Sequence, residues 1–209
     1  MSQSLVRRLT LVRHGETEGE SSIRYYGRTD VPLSPLGRAQ MERVRAALAA
    51  RRFAAVYTST LSRAGEAARI ISDAGGGTVL MPMPIAGFDE IDFGEWEGLT
   101  IEEIRVRSPR LYAEWEAHRG GAFTYPGGES TRGFRERVGQ ALHEVMAQAP
   151  SGEVLFVVHK GVIRCIVAEL LGFDKAQRYN LIAELGSIHI IACDNGAWSV
   201  EALDRTEHL

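Results

Sequence analysis

The stretch Leu11-Val12-Arg13-His14-Gly15-Glu16-Thr17 joins an apolar run to an arginine, a histidine and a glycine. The apolar residues predict a buried strand, and a glycine at a chain reversal lets the backbone approach a ligand closely. The planar guanidinium of Arg13 suits phosphate oxygens, and the imidazole of His14 has a nitrogen that can attack phosphorus. The end of this strand therefore predicts phosphate chemistry.

A second stretch, Val154-Leu155-Phe156-Val157-Val158-His159-Lys160-Gly161, repeats the pattern of an apolar strand, a histidine and a glycine that opens a helix. Other strand-like runs lie at 9–12, 54–57 and 187–193, and helical stretches lie at roughly 35–51, 61–74, 130–148 and 161–171. This alternation predicts an α/β fold, a three-layer sandwich in which helices flank a mostly parallel central sheet. Because ligands bind beyond the carboxyl ends of such strands, both histidines are expected at one site.

The length of 209 residues fits one α/β domain over 1–209, and no Pro/Ser-rich linker divides the chain. The net charge of -3, from 24 basic and 27 acidic residues, excludes a broad cationic surface for nucleic acid or an anionic membrane. Any positive field should therefore be local.

The two cysteines, Cys165 and Cys193, have apolar neighbours and no metal-ligand spacing, so we expect buried thiols in a reducing compartment. No apolar signal segment follows Arg7 and Arg8, and no stretch approaches the roughly 20 apolar residues that span a bilayer. These features predict a cytoplasmic protein. The run Gly75-Gly76-Gly77 predicts only a turn after a helix, because no phosphate-loop lysine accompanies it.

The run Arg13-His14-Gly15-Glu16-Thr17 resembles the signature of the histidine phosphatase superfamily, the phosphoglycerate mutase-like enzymes. The similarity spans most of residues 5–195. Further similar runs follow in family order: Tyr26-Gly27 with Asp30, Pro32-Leu33-Ser34 and Gly37; Thr58-Ser59-Thr60-Leu61-Ser62-Arg63-Ala64; Glu90 with Phe93-Gly94-Glu95-Trp96-Glu97-Gly98; Gly127-Gly128-Glu129-Ser130; and His159-Lys160-Gly161.

With this resemblance, His14 is the expected nucleophile, because a neutral imidazole is available at cellular pH and a phosphohistidine splits phosphoryl transfer into two easier steps. We expect its other ring nitrogen to donate to a backbone carbonyl near Gly15. Arg13 and Arg63 are expected to bind the phosphoryl oxygens. If Thr60 caps the following helix, Arg63 lies in the first turn, where a bound anion would offset its repulsion by the helix dipole.

His159 is expected to donate hydrogen bonds to the same oxygens and to be cationic beside a dianionic substrate, while Lys160 or the backbone at Gly161 adds positive potential. Glu90 is the candidate general acid, which would protonate the leaving group and then activate water. Only the family spacing singles it out from the acidic residues around it.

The phosphate-binding set that the resemblance implies also includes Tyr26 and Gly27. Three further acidic residues at motif positions are expected to hold loops by hydrogen bonds: Glu16, Glu97 and Glu129.

The chain departs from the family pattern at two places that bear on the reaction. Glu20 stands where many relatives carry a phosphate-binding asparagine, and Ile101 aligns with a substrate-binding lysine of the glycolytic mutases, whose longer basic insertion is also absent. These differences favour hydrolysis of a small phosphorylated metabolite, and the chain is similar to the group with broad-specificity phosphatases and α-ribazole phosphatase. A cofactor-dependent phosphoglycerate mutase and a non-catalytic phosphate-binding regulatory module stay open as alternatives.

No spacing of carboxylates and histidines resembles a metal site, so we expect activity without a metal or other cofactor. Tyr112, Trp115, Phe123 and Tyr125 lie among charged residues in the segment 99–130. This composition predicts a small helical cap insertion over the mouth of the pocket. We expect no nucleic-acid or membrane partner, and the sequence leaves a homodimer open.

Overall fold

A computed structural model describes residues 6–72 and 80–209, so the predicted turn at Gly75–Gly77 and the end of the helix predicted over 61–74 lie outside the described residues. Within the described part, six strands form one sheet in the order β3-β2-β4-β1-β5-β6. The strands are β1 (Val6–Arg13), β2 (Ala55–Thr58), β3 (Met83–Pro84), β4 (Gly152–Val158), β5 (Ile188–Asp194) and β6 (Ala197–Arg205). Strands β1, β2, β3 and β4 pair in parallel, whereas β5 and β6 are antiparallel additions beside β1.

Helices cover both faces of this sheet. They are α1 (Pro35–Leu48), α2 (Ser62–Ser72), α3 (Ile101–Arg107), α4 (Pro109–Ala117), α5 (Thr131–Gln148), α6 (Lys160–Leu171) and α7 (Lys175–Asn180), with short 3-10 turns at Ala86–Phe88 and Gly94–Trp96. Of these elements, the sequence did not predict β3, β6, α7 or the two 3-10 turns. None of the helices in the described ranges is long and apolar enough to cross a membrane.

The three layers follow from the alternation of side chains along the strands. In β4, Leu155 and Val157 face a cluster that includes Met41 of α1 and Ala67 of α2. The intervening residue, Phe156, faces a second cluster with side chains of α5 and α6. Because successive strand residues point to opposite faces, one continuous apolar strand supports both layers. The predicted three-layer α/β fold is confirmed.

Two helix starts have the caps that the sequence predicts. The hydroxyl of Ser34 accepts from the backbone of the first turn of α1, and Pro35 occupies the first helical position. Thr100 and Glu103 form a reciprocal capping box at α3. These caps satisfy amide groups that a helix leaves unpaired at its start.

The predicted capping of α2 by Thr60 is wrong. The amide and hydroxyl of Thr60 both donate to the Asp89 carboxylate, at 2.8 Å each. The helix starts instead at Ser62, whose amide donates to Asp30 Oδ1 at 2.8 Å. A carboxylate from a distant loop therefore takes the role that we expected of a local hydroxyl. Arg63 still lies in the first turn, as predicted.

The prediction of two buried thiols is also wrong, because both cysteines are partly exposed. Cys193 lies near the solvent-exposed end of β5. Cys165, on α6, lines a cavity described below. Although the residue is partly exposed, its thiol is largely removed from water, and this desolvation raises the pKa of the thiol to about 12. An apolar sequence neighbourhood did not distinguish a cavity wall from the core.

Candidate active site

The two predicted strand ends meet at one site. Strands β1 and β4 pair in parallel with Arg13 opposite Val158, so each strand is followed directly by a histidine. The amide of His14 donates to the carbonyl of Val158 at 3.1 Å. The imidazole centroids of His14 and His159 lie 5.1 Å apart, and both side chains are buried.

His14 is held in a single tautomer. Its Nδ1 lies 2.7 Å from the carbonyl oxygen of Gly15. Since a carbonyl can only accept, Nδ1 carries the hydrogen and Nε2 keeps a lone pair. Burial, followed by the positive charges of Arg63 and Arg13, holds the pKa of His14 well below its usual value. The imidazole is therefore neutral at cellular pH, and the predicted carbonyl partner is confirmed.

Gly15 has a packing role that the sequence did not predict. Its backbone is not among those with a positive φ. A Cβ at this position would lie 2.5 Å from the carbonyl oxygen of Gly37, in the first turn of α1. The glycine therefore permits close packing of the signature loop against a helix, and Gly37 is the matching small residue on that helix.

Arg63 is buried and oriented by three backbone carbonyls. Its Nη1 donates to Thr29 at 2.9 Å, and its Nη2 donates to Gly27 at 2.6 Å and to Tyr26 at 3.3 Å. Burial lowers the pKa of Arg63, while the Glu90 carboxylate acts in the opposite direction. The sequence predicted the cation, but the loop that supports it becomes visible only in the fold.

Arg13 is likewise buried and held by a carbonyl, since its Nη1 donates to Ala183 at 2.8 Å. Burial lowers the pKa of Arg13 to about 10, and the nearby Glu90 is the largest opposing charge. The guanidinium therefore remains protonated at neutral pH.

His159 has a partner that sequence reasoning missed. Its Nε2 lies 2.7 Å from the hydroxyl of Ser59. That hydroxyl accepts from the amide of Leu61 at 3.3 Å and has its own hydrogen available for Nε2, so we assign it as the donor in this bond, which places the ring hydrogen of His159 on Nδ1. Burial, Arg63 and the neighbouring His14 hold the pKa of His159 well below its usual value, so the free protein has a neutral ring there. The expected cation would require a bound phosphate.

Three hydrogen-bond donors at the centre of the site have no partner. Among the buried side-chain nitrogens and oxygens of the described residues, four lack one: Arg13 Nε, Arg63 Nε, His159 Nδ1 and Trp96 Nε1. A buried donor without a partner is destabilising and points to an absent acceptor. The three site donors come from three different elements, as a tetrahedral anion between them would require.

Glu90 lies beside this cluster and lines the same cavity as His14. Its Oε2 accepts from the amide of Gly161 at 2.9 Å, and its Oε1 accepts from the amide of Ile91 at 3.0 Å. A Cβ at Gly161 would collide with this carboxylate. Gly161, at the start of α6, therefore leaves room for the Glu90 carboxylate. The Gly161 amide donates to Glu90 and is not available to a ligand.

The Tyr26–Gly27 motif also supports the site indirectly. The amide of Gly27 donates to Glu97 Oε2 at 3.0 Å, and its carbonyl accepts from Arg63. A Cβ at Gly27 would collide with the carbonyl of Ile91. Both polar groups of Gly27 are therefore occupied, and Glu97 holds the loop, as predicted. The side of the cavity near this loop includes Tyr26.

The other two motif acids have similar surroundings. The Glu129 carboxylate forms an ion pair with Arg137 at 2.9 Å. Glu16 Oε1 accepts from the amide of Thr17 at 2.8 Å. Both therefore hold loops by hydrogen bonds, as predicted. In the described ranges, no group of three or more His, Cys, Asp or Glu side chains is placed to hold a metal ion.

The cavity in front of His14 has a volume of about 600 Å³. Arg13, His14 and Glu90 line its inner end. The segment from α4 to the start of α5 supplies another part of the lining, with Trp115, His118, Gly120, Gly121, Phe123 and Tyr125. The segment predicted as a cap is therefore next to the catalytic candidates. Lys160, half-buried at the start of α6, also lines this cavity.

Residues 9–206 match the family model of the histidine phosphatase superfamily, branch 1. The chain belongs to this superfamily. Its family, predicted from the motifs, is confirmed.

The chain resembles several curated proteins over most of its length. It is 30% identical over 204 residues to phosphoserine phosphatase 1 of Hydrogenobacter thermophilus, an alignment that covers 97% of this chain and 89% of that protein. It is 28% identical over 197 residues to the adenosylcobalamin/alpha-ribazole phosphatase of Salmonella typhimurium, with 94% and 96% covered. Some relatives are longer: for three that are 33% identical over 204 residues, the chain spans 55% of their length.

The solved structure of a mycobacterial glucosyl-3-phosphoglycerate phosphatase superposes on this chain with a TM-score of 0.83 at 26% identity. The match covers 96% of this chain and 99% of that one. Similarity over nearly the full length of both chains agrees with the α/β fold described above.

Proposed function

We propose that this protein is a phosphomonoesterase that hydrolyses small phosphorylated metabolites through a phosphohistidine on His14. The observation that carries the proposal is the set of unpartnered donors on Arg13, Arg63 and His159. They surround a neutral imidazole whose Nε2 is free to attack. A phosphoryl group placed there would meet donors on several oxygens and a nucleophile on phosphorus.

In the first step, Nε2 of His14 forms a bond to phosphorus and the ester P–O bond breaks, with Glu90 giving a proton to the leaving oxygen. In the second step, water attacks the phosphorus of phosphohistidine, the P–N bond breaks, and the Glu90 carboxylate takes a proton from that water. The products are the alcohol and inorganic phosphate. Arg13, Arg63 and His159 stabilise the charge on the phosphoryl oxygens in both steps.

We propose that this chemistry needs no metal ion, because two guanidinium groups and an imidazole N–H supply the charge stabilisation that a metal would otherwise give. The test is phosphate release in buffer with EDTA, compared with buffer that contains added magnesium. We expect equal rates. A rate that depends on added divalent metal would contradict this part of the proposal.

The same proposal treats residues 1–209 as a single domain and residues 99–130 as a cap that selects the substrate. Support for the cap comes from the aromatic lining that Trp115, Phe123 and Tyr125 contribute to the cavity. The names of the relatives, which include phosphoserine and alpha-ribazole phosphatases, support a small phosphorylated metabolite as the substrate class. Cytoplasmic location and oligomeric state stay predictions.

The deciding experiment uses 32P-labelled 3-phosphoglycerate and a general aryl phosphate with the wild-type protein and Glu90→Gln. We expect release of phosphate by the wild type. For Glu90→Gln we expect turnover that is about 10²- to 10⁴-fold slower, with phosphate binding largely retained and with labelled protein that accumulates. His14→Ala is the control and should carry no label.

Two other outcomes would replace the proposal. Isomerisation of 3-phosphoglycerate without phosphate release would identify a phosphoglycerate mutase. Binding of inorganic phosphate with neither turnover nor labelled protein would identify a non-catalytic regulatory module.

A further inference from the structure

The wall of the cavity beyond the phosphate-binding centre is strongly cationic. Among the described residues, the cavity lining contains six basic side chains, of which only Arg13 belongs to the phosphate-binding centre, and one acidic side chain, Glu90, which lies at that centre. The basic residues are Arg13, Arg24, Arg135, Lys160, Arg164 and Arg178. Because the whole chain has a net charge of -3, this positive field is local to the cavity.

Most of these cations are not neutralised by the protein. Arg24 forms an ion pair with Glu103 at 3.0 Å. In contrast, no carboxylate within 6–72 and 80–209 lies within 4.0 Å of Lys160, Arg164 or Arg178. Anion-binding groups that face a cavity without a counter-charge favour an anionic ligand.

The two arginines are positioned by backbone carbonyls. Arg164 Nε donates to the carbonyl of Leu181 at 2.8 Å, and its guanidinium lies 5.5 Å from the ring centroid of Tyr179. Arg178 Nη2 donates to the carbonyl of Gly120, also at 2.8 Å. Each guanidinium is therefore held in place by a carbonyl, which has no net charge, and this preorganises it for a charged ligand.

This arrangement is unfavourable in the free protein. Burial lowers the pKa of Lys160, and the positive charges of Arg164 and Arg13 lower it further. Burial and the charge of Arg135 lower the pKa of Arg178 in the same way. An anion in this part of the cavity would relieve both the repulsion and the lost hydration.

A single phosphate does not account for all of these cations. Arg13 and Arg63, whose charges both act on His14, already match the two negative charges of a phosphomonoester. Lys160 and Arg164, one helical turn apart on α6, and Arg178 on α7 remain. We propose that Lys160, Arg164 and Arg178 form a second anion-binding subsite, so that the substrate is a phosphomonoester with another anionic group, a carboxylate or a second phosphate.

This inference rests on the proposed phosphatase function, and paired substrates test the two separately. The pairs are 3-phosphoglycerate with glycerol 3-phosphate, and fructose 1,6-bisphosphate with fructose 6-phosphate. Within each pair, only one member has the extra anionic group. We expect kcat/KM for phosphate release to be at least about tenfold higher for the anionic member of one pair, as a charge-assisted contact gives. The preferred pair distinguishes a carboxylate from a second phosphate.

Arg164→Gln and Arg178→Gln should each lower that preference about tenfold. Arg132→Gln is the matched control, because it removes the same charge from an exposed ion pair with Glu136 on α5 and should leave the preference unchanged. Thermal unfolding of each variant shows that it is folded, and the two variants provide independent tests.

Equal kcat/KM within both pairs, or a preference that both variants retain, would overturn the subsite while leaving the phosphatase proposal intact. Absence of phosphate release from all four compounds would instead contradict the phosphatase proposal.

Discussion

The ends of β1 and β4 place the same side chain at the same edge of the sheet, and hydrogen bonding gives the two imidazoles opposite properties. The Gly15 carbonyl accepts a hydrogen bond from Nδ1 of His14 and leaves Nε2 with a lone pair, as the proposed nucleophile requires. The Ser59 hydroxyl occupies Nε2 of His159 and leaves Nδ1 as a donor. A strand followed by a histidine is thus ambiguous in the sequence, and in the mechanism we propose one neighbouring oxygen decides whether the ring attacks phosphate or binds it.

The largest expected effect tests the assignment of His14 as the nucleophile. His14→Ala should reduce kcat about 10⁴-fold or more, because it removes the nitrogen on which we propose that the covalent intermediate forms. The measurement is steady-state phosphate release. His143→Ala, which removes an exposed histidine paired with Glu169, is the control and should match the wild type. Comparable activity in His14→Ala would rule out the covalent mechanism.

A smaller loss is expected at the other strand end. His159→Ala should lower kcat about 10²- to 10³-fold, the usual effect of losing one donor to a charged transition state. Because His14 is intact, the protein should still acquire 32P label from substrate, though more slowly. A variant that shows no label at all would mean that His159, and not only His14, is required for the attack itself.

Substitution of Ser59 should lower kcat modestly, because the Ser59 hydroxyl fixes the tautomer of His159. Ser59→Ala should lower kcat about tenfold, and Ser59→Thr should recover most of it, since a hydroxyl is restored. Nitrogen chemical shifts of His159 provide a second readout, because the alanine variant should show a mixture of tautomers. Ser199→Ala on β6, an exposed position, is the control. An unchanged tautomer in Ser59→Ala would refute this positioning role.

The smallest effect concerns pH. The pKa of His14 lies well below its usual value, so the ring protonates only below about pH 6.5, and the neutral nucleophile persists as pH falls to that point. We expect His14, followed by NMR, to stay almost entirely neutral between pH 7.5 and 6.5, whereas a ring with the usual pKa of about 6.5 would lose nearly half of its neutral fraction over this range. A midpoint at or above pH 6.5 would show that burial and the charges of Arg63 and Arg13 do not lower the pKa of His14 as the structure indicates.

Local patterns in the sequence were sufficient to predict the fold and to name the residues that the structure brings together at the candidate site. Apolar strand runs and their histidines lie next to each other in the chain, and the family motifs identify Arg63 and Glu90. Contacts between distant loops were not predictable in this way. The carboxylates that cap the start of α2 come from Asp30 and Asp89, and the carbonyls that orient Arg63 come from a loop more than 30 residues away.

The elements that the sequence missed share a physical cause. β3 has two residues, and β6 is a largely exposed edge strand in which apolar and polar residues do not alternate cleanly. α7 has only six residues, so its helical periodicity is too short to detect. Ser59 lies inside a recognised motif, yet its role depends on a ring nitrogen 100 positions later in the chain.

Because Arg13 pairs with Val158, the register of strands β1 and β4 sets the distance between the two imidazoles. A slip of one residue between these strands would turn one histidine to the opposite face of the sheet. Substitutions several residues upstream, in the middle of β1 or β4, could therefore abolish turnover with every motif residue unaltered. For anyone transplanting this site into another scaffold, copying the alignment of the two strands matters as much as copying the side chains.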